Sequence, residues 1–249
     1  MVNIIKNMKD EPNNLKIFRL KKDIKQALRN KTQGLFKKYV DGCDECSDEL
    51  RNILKEKQGA ICCYCMCSIE TGETKIEHYK SRRDNPNLEV DYKNLYLACD
   101  GEKTNCNENQ DGNENIHKYC KCKHNKEKEN KKIVKHCDTC KDSQELEYID
   151  LKVIESQIKY KSDGTIYSDN KDINKELNYV LNLNIEILKK SRLRAKKSLW
   201  RMLPKDGTWK DKMINKQIEK YQNQKSKAPY LGVLLYFLTE ELKSKGKKL

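Results

Sequence analysis

A few short stretches of this chain carry side chains whose types and spacing suit chemistry. Cys62-x-x-Cys65, Cys99 and Cys137 supply thiols from a knuckle and two distant points. Such a set can form the tetrahedral four-thiolate shell that structural zinc prefers. Between these cysteines stand Glu77-His78 and Asn94; Cys137 is followed by Asp138 and then Lys141. These residue types fit phosphodiester hydrolysis. Water attacks in line, negative charge builds on the phosphate and leaving oxygen, a divalent cation offsets it, and a base activates the water. A neutral imidazole is the natural base near pH 7, which makes His78 the expected base. Glu77 and Asp138 are expected carboxylates for Mg²⁺ or Mn²⁺, with His136 the rival to Asp138. Asn94 is expected to hold the imidazole by accepting a ring N–H.

The order Cys-x-x-Cys, acid-His, Asn, Cys, Cys-polar-x-x-Lys resembles the HNH nuclease motif. Asp138 takes the place of that motif's final His, Lys141 keeps the closing Lys spacing, and residues 100–136 are inserted between the last two cysteines. The resemblance is closest to the bacterial HNH branch that includes the PtuB nucleases of Septu and retron-linked anti-phage systems. It is carried by Ile4-Ile5-Lys6, Pro12-Asn13-Asn14-Leu15, Gln58-Gly59-Ala60-Ile61-Cys62-Cys63-Tyr64-Cys65, Ile76-Glu77-His78-Tyr79, Asp91-Tyr92-Lys93-Asn94-Leu95 and His136-Cys137-Asp138. It covers roughly residues 1–145, with a weaker echo at Leu181-Asn182-Leu183-Asn184; the branch's Pro-Lys-Ser after the aromatic is replaced by Lys80-Ser81-Arg82-Arg83. The resemblance implies DNA as substrate and a ββα-metal core in a helical frame. In that core His78 ends the first strand, Asn94 lies in the following loop and Asp138 opens the helix. It also implies an ATPase subunit of the PtuA type as partner, with the nuclease a dimer within a larger cytoplasmic complex.

The elements that must position these residues are legible in part. The chain has 249 residues, a formal net charge of +14, and 36% charged against 36% hydrophobic residues. That leaves material for a modest core and favours a polyanionic partner. The longest apolar run, Tyr230–Leu238, is too short for a membrane span, and the opening MVNIIKNMKDEPNN lacks a secretory h-region. Without such a signal, twelve cysteines point to metal binding rather than to a disulfide framework. Residues 1–58 read as helical, with Ile17, Leu20, Ile24 and Leu28 on one stripe and Leu50, Ile53 and Leu54 on another. Residues 59–150 read as the nuclease core, strand-like over Thr74–His78, with a Lys- and Asn-rich insert at 100–135. Within the insert His117, Cys120, Cys122 and His124 form a candidate second zinc site. Cys43-x-x-Cys46 is a further candidate ligand pair.

Residues 151–249 read as a hairpin around Asp163-Gly164 followed by helices. Asn170 or Asp172 caps one apolar face running from Ile173 to Met202, Pro204 stops it, and a last helix follows Pro229. Lys80, Arg82, Arg83 and Lys141 are the expected phosphate contacts near the cut. Lys189, Lys190, Arg192, Arg194, Lys196, Lys197 and Arg201 crowd one helix, as a solvated face or a track for a nucleic-acid backbone. The expectation is therefore an α+β protein, a zinc-stapled ββα-metal core framed by N- and C-terminal helices. Two other readings remain open: a zinc-ribbon module or assembly subunit that does not cut, and a nuclease acting on RNA or tRNA.

Overall fold

The structure, a computed structural model, describes residues 1–104, 133–202 and 209–244. The proposed second zinc site at His117, Cys120, Cys122 and His124, and the stop at Pro204, lie outside the described residues. The chain is a mixture of helices and small two-stranded antiparallel sheets, an α+β arrangement.

The N-terminal stripe does not form one helix. Lys21 takes an extended conformation with ψ 140° and separates α1 (Asn13–Leu20) from α2 (Lys22–Arg29). The break re-aims the faces: Leu15, Phe18 and Ile24 are buried, while Ile17 and Leu20 are more than half exposed. A third helix, α3 (Leu35–Asp41), starts after Gly34, whose φ of 86° a side chain would strain. In α4 (Cys46–Lys57), Asp48 and Glu49 in the first turn and Lys55 and Lys57 in the last complement the helix dipole, and Leu50 and Leu54 enter the core. Cys43 and Cys46, weighed above as metal ligands, are instead joined to each other by a disulfide at the head of α4.

Strands β1 (Thr74–His78) and β2 (Leu95–Cys99) pair antiparallel, with Thr74 opposite Cys99 and His78 opposite Leu95. β2 is buried along its whole length. Next, β3 (Glu102–Thr104) pairs antiparallel with β4 (Ile133–Lys135). This pairing closes the insert at its base, so the chain leaves beside Cys99 and returns beside Cys137. The single-turn helix α5 (Asp138–Lys141) follows at once.

The expected hairpin is present as β5 (Lys159–Tyr160) and β6 (Ile166–Tyr167). Asn170 caps α6 (Lys171–Lys175), its Oδ1 accepting from the Asp172 and Ile173 amides at 2.8 and 3.4 Å. The apolar periodicity beyond it is interrupted. A π-turn spans Glu176–Val180, and Asn182 at φ 49° ends it before α7 (Glu186–Trp200) begins. Helices α8 (Asp211–Asn223) and α9 (Leu231–Ser244) complete the described chain. One large apolar cluster joins the N-terminal helices, the knuckle, β2 and α9; a smaller one, Leu199, Trp209, Ile214, Leu234, Leu238 and Leu242, lies among α7, α8 and α9. No helix among the described residues is long and apolar enough to cross a membrane.

Candidate metal centre and adjoining cleft

The knuckle that opens the site is a tight double turn. The Cys62 amide donates to the Cys67 carbonyl at 2.9 Å, and Met66, at φ 62°, returns its amide to the Cys62 carbonyl at 3.1 Å. Ala60 and Gly59 also take positive φ, which folds the knuckle back on α4. Cys99 ends β2, and Cys137 precedes α5 with its amide on the Leu181 carbonyl at 2.8 Å. These paths bring four buried thiols together: the sulfurs of Cys62, Cys65, Cys99 and Cys137 all lie within 4.8 Å of one another. Cys62 Sγ is 3.9 Å from Cys137 Sγ, and Cys65 Sγ is 3.8 Å from Cys99 Sγ. A tetrahedral shell with metal–sulfur bonds of about 2.3 Å requires sulfur separations of about 3.8 Å, so the quartet could hold a metal ion. Burial opposes ionisation of Cys62, yet hydrogen bonds from Cys137 and its other thiol neighbours hold it well below the usual thiol range. Those from Cys137 do the same most strongly for Cys65.

Glu77 and His78 close β1 and are both buried. Glu77 Oε1 accepts from the Tyr64 hydroxyl at 2.6 Å and from Lys141 Nζ at 2.9 Å. Burial, and then the neighbouring Asp138 carboxyl, push the Glu77 carboxyl well up, against the pull of Lys141 and Tyr64. His78 Nε2 lies 2.9 Å from the Glu89 carbonyl, and Phe36 of α3 meets the imidazole edge-on at 4.7 Å. A carbonyl only accepts, so Nε2 carries the proton and Nδ1 keeps its lone pair. Burial pulls the imidazole down to about 4, which leaves it neutral at pH 7. Glu77, His78, Glu89, Asp138, Arg82 and Arg83 line one cleft of about 940 Å³.

Several residues take partners other than those expected. Asn94 does not hold the imidazole. Its Oδ1 accepts from the Lys80 amide at 2.7 Å, and its Nδ2 donates to the Lys80 and Leu88 carbonyls at 3.0 and 3.2 Å. Asn94 thus ties the ends of the β1–β2 loop together, and the loop presents the Glu89 carbonyl that orients the ring. Lys141 is no phosphate contact: it is fully buried, paired with Glu77 and donating to the His78 carbonyl at 3.2 Å. Lys80 reaches Glu145 at 3.2 Å and the Leu146 carbonyl at 3.1 Å, away from the cleft lining. Arg82 and Arg83 remain exposed at its rim, with Arg83 paired to Asp84 at 3.1 Å. His136 also stands apart, buried with Nδ1 at 3.0 Å from Cys137 Sγ, so Asp138 is the residue facing Glu77.

Tyr64, Phe36 and Glu89 were not anticipated. Tyr64 sits inside the knuckle, where spacing marks only its cysteines. Glu89 acts through a backbone carbonyl that no residue type announces; its carboxylate meanwhile accepts from the Leu35 amide at 2.9 Å and seats α3 against the cleft. The result is a thiol cage and a polar cleft sharing a wall. Tyr64 lies between Cys63 and Cys65, and Asp138 follows Cys137, so two residues beside the thiols flank Glu77. Comparison with known protein families and with curated proteins finds no match to this chain.

Proposed function

We propose that this chain is a metal-dependent endonuclease of the HNH type that hydrolyses DNA phosphodiester bonds. The observation that carries the reading is one cleft in which His78, neutral and with Nδ1 unprotonated, stands beside the facing carboxylates Glu77 and Asp138 under an arginine rim. Strand, strand and one-turn helix surround it in the order β1, β2, α5. His78 takes the proton of the attacking water at Nδ1, and the Glu89 carbonyl stabilises the ring's N–H and its orientation. Lys141 and Tyr64 fix Glu77, and Arg82 and Arg83 meet phosphates flanking the cut.

The donors present suit a hard divalent cation, because Mg²⁺ needs only one or two protein carboxylates and completes its shell with water and substrate oxygens. Bound at Glu77 and Asp138, Mg²⁺ or Mn²⁺ would offset charge on the phosphate and leaving oxygen. The buried thiols suit zinc instead, and we assign Cys62, Cys65, Cys99 and Cys137 to a structural Zn²⁺. An ATPase subunit of the PtuA type is the partner that the sequence resemblance supports.

Plasmid cleavage by the wild type and His78→Ala, with Mg²⁺ or Mn²⁺ and without either, tests the reading. It is run alone and with an ATPase encoded beside this chain. Cleavage that needs both the added cation and His78 is expected. DNA retarded on a gel but never cut assigns the chain to the non-cleaving binding class, and cleavage of RNA alone moves the substrate. Cutting that survives His78→Ala overturns the site.

A further inference from the structure

A second groove lies on α7. Ser162, Leu193, Lys196, Lys197, Trp200 and Arg201 line a cavity of about 430 Å³. The four α7 residues and Arg201, which caps the helix, follow the i, i+3, i+4, i+7, i+8 spacing of a single helix face. The side of α7 that is buried in the core carries Leu188, Ser191, Arg192 and Leu199; of the groove residues Trp200 alone also packs against the smaller apolar cluster, and it stays half-buried. Arg192 is therefore removed from the basic surface: its guanidinium is buried and donates to the Gly164, Leu183 and Asn184 oxygens at 2.5, 2.7 and 3.2 Å. The bond to Gly164 seats the β5–β6 turn on α7, and Ser162 of that turn lines the groove opposite the helix. The floor is apolar and aromatic. Trp200 packs edge-on against Phe237 at 6.0 Å, and the Lys196 ammonium lies 4.0 Å from the Phe237 ring centre and 5.8 Å from that of Trp200. Lys197 and Arg201 are exposed, one turn apart. At about 1.5 Å per residue, Leu193 to Arg201 spans about 12 Å, a length suited to a short run of a single strand.

A half-buried indole with cations around it is the arrangement that takes a base on an aromatic platform and its phosphates on basic side chains. A duplex keeps its bases stacked inside and offers only phosphates to such a groove. We propose that the α7 groove binds an unpaired stretch of nucleic acid, with one base stacked on Trp200 and the flanking phosphates on Lys197 and Arg201. The site is distinct from the cleft and does not depend on what the cleft does.

The chain has two tryptophans, so Trp209→Phe leaves Trp200 as the sole indole. In that protein, carrying His78→Ala so that nothing is cut, short oligothymidylate and oligouridylate are titrated while indole fluorescence is read. Saturable quenching is expected, and heparin, a polyanion without bases, binds without it. In the protein that keeps both tryptophans, Trp200→Ala lowers oligonucleotide affinity about ten-fold, Trp200→Phe keeps most of it, and Lys197→Glu with Arg201→Glu removes about two phosphate contacts from the salt dependence. Should Trp200→Ala disturb α7–α9 packing, the quenching and Trp200→Phe still decide. Oligonucleotide binding without quenching, equal affinity for Trp200→Ala, or a duplex of the same length competing equally would overturn the proposal. Preference between the thymidylate and uridylate strands assigns DNA or RNA.

Discussion

The cysteine knuckle with its cleft and the α7–α9 layer are held by different forces. Around the cleft, polar and ionisable groups are buried beside the larger apolar cluster: four thiols, Glu77, His78, Asn94 and Lys141. Among α7, α8 and α9 the buried cluster is Leu199, Trp209, Ile214, Leu234, Leu238 and Leu242. Apolar packing is non-directional and degrades gradually. A polar cluster is all or nothing, because each unpaired buried group carries its full desolvation penalty. The two regions are stitched together by backbone bonds from Lys227 to Gly59 at 2.7 Å and from Tyr230 to Met66 at 2.8 Å. Differential sensitivity to metal and to side-chain truncation therefore separates them.

Metal removal is the largest test. Structural zinc in small domains binds with about 10–16 kcal/mol, comparable to the whole stability of a domain at about 5–15 kcal/mol. Stripping the metal with a strong chelator, or making Cys62→Ser with Cys137→Ser, is expected to unfold the knuckle, the β1–β2 pair and α5 while α7–α9 keep much of their helicity. Limited proteolysis with mass mapping reads this directly. Cuts appearing first within α7–α9 would invert the comparison.

The cluster's ion pair comes next. Lys141 and Glu77 are 1% and 2% exposed, so either charge left alone is stranded away from water. Lys141→Met is expected to cost about 3–5 kcal/mol in denaturant unfolding, and adding Glu77→Gln should recover most of it. A loss below about 1 kcal/mol for Lys141→Met would mean that water reaches the pair. In the apolar layer Leu238→Ala is expected to cost about 2–5 kcal/mol as a cavity, with zinc content unchanged. A loss of zinc in that variant would show that the regions are one cooperative unit.

The same contrast explains what the sequence disclosed. Cys62-x-x-Cys65, Cys99 and Cys137 were readable because thiol chemistry needs particular residue types, and spacing survives an insert that β3 and β4 close at its base. Thr74–His78, the hairpin at Asp163-Gly164 and the last helix were readable from alternation and turn residues. The long apolar stripes misled twice. Local backbone breaks at Lys21 and Asn182 decided the faces; Lys gives no sign of a break, and Asn, which tolerates positive φ, gives only a weak one. Asn94 and Lys141 are both buried and hydrogen-bonded, but to partners other than the expected imidazole and phosphate. A buried Lys and a surface Lys are the same letter, and only packing shows that Lys141 faces Glu77 rather than a phosphate. The Glu89 carbonyl was invisible for a plainer reason, since every residue but its backbone geometry offers the same group.

The smallest expected effect probes the shared wall. Tyr64 stands in the knuckle, yet its hydroxyl serves the cleft, donating to Glu77 at 2.6 Å. Tyr64→Phe keeps the ring in place and deletes that bond alone, at about 1.5–3 kcal/mol for a bond to a charged acceptor. Zinc stoichiometry should not change, because no thiol is touched. Glu77 would keep Lys141 but lose the donor that fixes its second direction, so its carboxylate would hold the proposed Mg²⁺ or Mn²⁺ less well. The expected signature is a higher Mg²⁺ concentration for half-maximal cleavage at unchanged zinc content. A variant that loses zinc as well would mean that Tyr64 supports the knuckle itself, and the cage and the cleft would then be a single polar core rather than two sites back to back.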